Sequence, residues 1–217
     1  MRVRFPLAVL AAALLAATAA SADSASDAAR LERRLDPETS ARVMEIVDAA
    51  REAGLPTAPL VARALEGASQ QARNESILVE VQKLSAALGE ARRSLGHESK
   101  ETEIVAGASA LVAGVPTDSL ARLRASRPAE SLTISLVVLC DLVARGVPQP
   151  TASGAVLSAV RAGGTDRDLL RMREHVHDQI RRGAAPGGAA ERGLRELLGR
   201  RLSARGPAGA PGKERAR

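Results

Sequence analysis

The chain has 217 residues, a formal net charge of +6, one cysteine, no tryptophan or tyrosine, and a single phenylalanine, Phe5. Beyond Phe5 there is no phenylalanine, tyrosine or tryptophan ring, which excludes the stacking platforms such rings build for sugars and single-stranded nucleic acids, where each base stack contributes about 1–3 kcal/mol. Cys140 alone cannot build an intramolecular disulfide framework.

The positive charge is concentrated at the two ends. Arg2 and Arg4 supply +2, and residues 181–217 carry ten basic and three acidic side chains, so residues 23–180 sum to −3. A mildly acidic body with a basic tail is not the footprint of a nucleic-acid-binding fold, and no nucleic-acid partner is expected.

Residues 1–22 read as a secretory signal peptide. "MRVRF" is basic, "PLAVLAAALLAATAA" is apolar, and Ala20-Ser21-Ala22 is a small-residue cleavage site. The apolar run is shorter than the roughly 20 residues that span a bilayer. Neither a twin-arginine pair nor a lipid-accepting cysteine accompanies it. The expected product begins at Asp23 and is periplasmic or secreted.

Residues 23–35 form a lead segment, and residues 36–188 are expected to form a helical-repeat domain. Asp36 before Pro37 is a helix start. A phrase then recurs: "EAGLPTAPL" at 52–60, "LVAGVPTDSL" at 111–120 and "VARGVPQPT" at 143–151. Gly54, Gly114 and Gly146 suit the left-handed residue that closes a helix, and Pro56, Pro116 and Pro148 stop the old helix from continuing. Thr57 and Thr117 are candidate hydroxyl caps for the next helix, with Gln149 before Pro150 a weaker start. "RRGAAP" at 181–186 resembles a fourth copy with one inserted residue.

Between these marks the pattern predicts helices at 59–66, 75–95, 101–113, 118–124, 129–145, 151–162 and 166–182. Asn74 and the Thr165-x-x-Asp168 box are further helix starts. Ile77, Val81, Leu84 and Leu88 form one apolar stripe, and Leu169, Met172, Val176 and Ile180 another. "SLTISLVVLCDLVARG" is apolar nearly all round and is expected at the centre. The fold class is all-α without strands: an irregular helical-hairpin repeat or multi-helix bundle of about eight or nine helices. A C-terminal amphipathic or capping helix at 189–203 and a disordered basic tail at 204–217 complete it.

The candidate chemical clusters do not assemble. His175 and His177 lie about 200° apart around a helix, so they cannot share an ion. Glu174 and His177 have the spacing of one di-iron motif, but a second copy is missing. His97-Glu98 opens a zinc-protease motif in which Glu101 stands where the second histidine belongs. Cys140 sits within the apolar helix and reads as a buried hydrophobe, with Asp141 an i,i+4 partner of Arg145. No catalytic residue, metal site or cofactor is expected.

The basic residues Arg192, Arg195, Arg200, Arg201, Arg205, Lys213, Arg215 and Arg217 are candidate contacts for anionic lipid or an envelope polymer. In its glycine-proline punctuation and its alanine-leucine-arginine composition, the chain resembles uncharacterised exported helical proteins of GC-rich bacterial genomes, a resemblance that implies no activity. Its repeat spacing is similar to that of tetratricopeptide repeats, without their aromatic positions. The leading expectation is a non-enzymatic envelope scaffold that binds an unknown protein partner. A binder of anionic surfaces is the alternative, and an enzyme with an unrecognised site the third reading.

Overall fold

The computed structural model describes residues 26–204. Residues 1–22, expected as a signal peptide, and Arg205, Lys213, Arg215 and Arg217 lie outside the described residues. Every regular element among the described residues is helical. They run as α1 (26–32), α2 (Pro37–Glu52), α3 (Ala58–Ser69), α4 (Asn74–Leu95) and α5 (Glu101–Val112). Then follow α6 (Thr117–Ser126), α7 (Thr133–Ala144), α8 (Gln149–Arg161), α9 (Asp166–Arg181) and α10 (Pro186–Ala204). The expected eight or nine helices become ten among the described residues, because α1 occupies the lead segment and buries Leu31.

The chain divides into two compact units, with the boundary inside α4 between Ala86 and Ala87. In the first unit, Val43, Val47 and Ala50 of α2 and Leu60, Val61 and Ala64 of α3 are buried, as are Ile77, Val81 and Leu84 of α4. Burying a valine or leucine fully contributes about 1.5–3 kcal/mol, so repeated aliphatic stripes replace the missing aromatic anchors. The Asp36 carboxylate accepts the Thr39 N–H at 3.0 Å and fixes the start of α2. Asn74 does not cap α4; it is the first helical residue, and its amide donates to Asp36 Oδ2 at 2.6 Å.

In the second unit, alternate helices pair. α5 packs on α7 and α7 on α9, while α6 packs on α8 and α8 on α10. α7 also meets α8, and α9 meets α10. The nearly all-round apolarity of α7 has its cause here, since Leu136, Val138, Leu139 and Leu142 are fully buried. Helix α7 begins at Thr133, four residues later than the pattern predicts. Pro128 disfavours helical backbone at Arg127, and Arg124 holds the carbonyls of Arg127 and Glu130 at 3.2 and 3.0 Å, keeping them out of a helical ladder.

The recurring phrase closes helices at Gly54, Gly114 and Gly146, with φ of 67°, 90° and 84°. In each copy the next residue donates to the carbonyl five positions back: Leu55 to Ala50, Val115 to Ala110 and Val147 to Leu142, at 2.9, 2.9 and 3.0 Å. Gly183 repeats the geometry at φ 90°. The threonine caps do not form. Thr57 makes no side-chain cap bond, and Thr117 is already the first helical residue after Pro116.

Candidate functional site

Two features of the second unit are built from side chains distant in sequence. The first is a polar junction where α5, α7 and α9 begin. Glu103, 2% exposed, stands at the third position of α5. Its carboxylate accepts the Lys100 N–H at 2.9 Å, the Leu132 N–H at 2.6 Å and the Arg124 guanidinium at 2.9 Å. Burial alone would raise its pKa; the two N–H donors and Arg124 outweigh burial and hold it below its usual value. Arg124 also donates to Leu95 O at 3.1 Å, so one guanidinium joins the end of α4 to the α6–α7 loop. Arg127, likewise buried, donates to Asp166 Oδ1 at 3.0 Å and to Gly164 O.

The same arrangement recurs at α9. Asp168 is at its third position, accepts the Thr165 N–H at 2.9 Å, and receives Arg201 of α10 at 2.8 Å. The Thr165 N–H is the leading cause of its lowered pKa, with Arg201 assisting. The corresponding position of α7 is Ser135, whose hydroxyl is buried with no hydrogen-bond partner among the described residues.

The second feature is an apolar groove of about 590 Å³ between α5 and α7. Helix α5 contributes Val105, Ala106 and Ser109, and α7 contributes Val137, Cys140 and Ala144. Val137 is 39% exposed although it belongs to the most apolar helix. Cys140 is half-buried on the groove wall rather than enclosed in the core, with Sγ 3.7 Å from Ala106 O. Burial, reinforced by the neighbouring Asp141 charge, pushes its thiol up to about 11, the opposite of what an activated nucleophile needs.

The histidines of α9 reach different neighbours. His175 Nδ1 lies 2.7 Å from Glu196 Oε2 on α10, whereas His177 Nε2 faces Asp141 Oδ2 on α7 without hydrogen-bond alignment. Arg145 also lies 3.6 Å from Asp141. Among the described residues no group of three or more His, Cys, Asp or Glu side chains is placed to hold a metal ion. No helix among them is long and apolar enough to cross a membrane.

Of the basic candidates, Arg192 and Arg195 are exposed on α10, Arg200 pairs with Glu196 at 2.6 Å, and Arg201 pairs with Asp168. The buried face of α10, with Ala189, Ala190 and Leu197, is occupied within the unit, where α10 packs on α8 and α9. The six cap residues of the phrase hold helix corners and line no part of the α5–α7 groove. No protein-family model, curated protein or solved structure matches the chain.

Proposed function

We propose that this chain is an exported, non-enzymatic helical-repeat protein that binds a partner polypeptide on its stacked helices. One observation carries the reading: in the second unit each helix pairs with the next but one, giving a row α5, α7, α9 and a row α6, α8, α10. Helix pairs stacked this way present a continuous surface that lengthens with each repeat. The junction is compatible with the same register, since the carboxylates of Glu103 and Asp168 stand at the third positions of α5 and α9 and each meets an arginine of the helix that follows, Arg124 or Arg201. Export rests on the basic start, apolar run and Ala20-Ser21-Ala22 site of residues 1–22.

The second reading, adhesion to anionic lipid or polymer, is favoured by exposed Arg192 and Arg195 and the basic residues that follow. It is weakened by the engagement of Arg200 and Arg201 with carboxylates of the same chain and by the packing of α10. Affinity capture from the native envelope separates the two. A chain with Arg192, Arg195, Arg205, Lys213, Arg215 and Arg217 changed to serine retains a polypeptide partner at physiological salt if the stacked helices bind it. Loss of capture in that variant transfers the function to the basic segment.

A further inference from the structure

We propose that the α5–α7 groove is the docking site for an amphipathic helix of the partner, bearing two basic residues seven or eight positions apart beside its apolar face. The inference rests on the partner-binding reading above and adds the surface and the chemistry of the bound segment.

The groove selects for a helix because it offers almost nothing to a polar backbone. Its hydroxyls are engaged at home: Thr102 and Thr133 share a hydrogen bond of 3.2 Å, and Ser109 donates to Val105 O at 3.0 Å. An extended peptide would therefore bury unpaired N–H and C=O groups, whereas a helix brings its backbone already satisfied. Ala106, Ser109, Cys140 and Ala144 are small and let a helix come close, while Val105 and Val137 supply ridges. The twelve residues of α5 and of α7 give the groove a length of about 18 Å, room for three helical turns.

Charge fixes the rest. Among the described residues, the only ionisable groups on the walls besides the Cys140 thiol are the carboxylates of Glu101 and Asp141, and no lysine or arginine lines the groove. Arg145 and His177 approach Asp141 without lining the groove, whereas Glu101 is exposed with no ion pair in the described residues. The Thr102–Thr133 bond sets the starts of α5 and α7 level. Thr102 is the second residue of α5 and Thr133 the first of α7, so Glu101 and Asp141, the ninth of α7, stand about 13 Å apart along the groove. Long basic side chains seven or eight positions apart on one face of a docked helix, about 11–12 Å along its axis, reach both carboxylates.

Cys140, the sole cysteine, reports occupancy without any added label. The full chain is alkylated with iodoacetamide at pH 9, because the thiol is pushed up to about 11 and reacts slowly at neutral pH. The probe is a synthetic fourteen-residue leucine-alanine helix with lysines seven positions apart; a glutamate version is the control. The lysine probe is expected to slow alkylation about ten-fold and the glutamate version hardly at all, a difference of about 1.4 kcal/mol. Val137→Lys, at an exposed position, and Glu101→Gln should each weaken protection by the lysine probe; the second stands if the first does not fold. Equal protection by both probes overturns the charge assignment, and protection by neither overturns the docking site. Protection by dodecyltrimethylammonium but not by the lysine probe overturns the helix in favour of a small amphiphile. Envelope capture by Val137→Lys equal to that of the unaltered chain places the partner elsewhere and leaves the proposed function intact; no capture by the unaltered chain contradicts that function itself.

Discussion

The side-chain amide of Gln149 donates to the backbone carbonyl of Ala113 at 2.9 Å, so the third copy of the recurring phrase holds the helix end made by the second. Pro186 and Gly187 lie beside Gly146 and Pro148 at the next step, where Cβ atoms built on the two glycines would meet proline carbons at 3.7 and 3.6 Å. The phrase therefore does more than end helices. It supplies corners that stack on one another across 30 or more residues.

Gly114→Ala is expected to destabilise the protein by about 1–2 kcal/mol, because alanine is strained at positive φ and its Cβ would stand 2.3 Å from Gln149 Nε2. Gly154→Ala should do the reverse. It is an exposed position within α8 with nothing inside 4 Å, and alanine there is favoured by about 1 kcal/mol. Denaturant midpoints of the two variants must move in opposite directions.

Two threonines that look alike in sequence should respond differently. Thr165→Ala removes a hydroxyl that accepts the Asp168 N–H and costs about 1 kcal/mol, whereas Thr117→Ala removes no cap bond and costs no more than a few tenths. Thermal unfolding of both variants distinguishes a capping threonine from a merely adjacent one.

Much of the helical punctuation was legible because it is local. Glycine closes, proline stops, and Asp36 and Thr165 cap within three residues, all visible in a short window of sequence. Helix 26–32 has no periodic stripe to announce it, because Leu31 is its one buried side chain. Thr117 and Asn74 failed as caps because each was drawn into the first helical turn. The Glu103–Arg124 pair spans 21 residues and the groove draws on helices some 30 residues apart, so no spacing rule within one helix could announce either. Helix apolarity alone puts Cys140 in the core, whereas α7 leaves one face, with Val137, open and the cysteine half-buried on it.

Glu103→Gln should lower stability by on the order of 3 kcal/mol at neutral pH, since it leaves Arg124 facing a lost charge in a largely buried junction. The Glu103 pKa is depressed below 4.5 in the folded chain, so its contribution is fully present above the unfolded value and is lost as pH falls through the folded value. Chemical unfolding from pH 7 to pH 3 should show the gap between variant and parent narrowing only below about pH 4.5. A gap that is constant across the range would mean that the carboxylate charge contributes nothing.

Binding to anionic vesicles, where it occurs, should depend on Arg192 and Arg195 rather than on Arg201. Substitutions test this more cleanly than a C-terminal truncation, which would strip α10 from its packing on α8 and α9. Arg192→Ser with Arg195→Ser should reduce co-sedimentation, by roughly 1 kcal/mol per charge, and leave the unfolding midpoint nearly unchanged. Arg201→Ser should do the opposite, because its guanidinium holds Asp168.

The stacked-row arrangement is tested most directly by a distance between helices that are not neighbours. Val105, Val137 and Leu170 are each the fifth residue of α5, α7 and α9. With Cys140→Ser as background, spin labels at 105 and 170 read by pulsed electron resonance should report backbones about 20 Å apart, two interaxial spacings of 8–10 Å with α7 between them. A separation of about 10 Å, that of directly packed helices, would mean a closed bundle and contradict the repeat on which the proposed function rests.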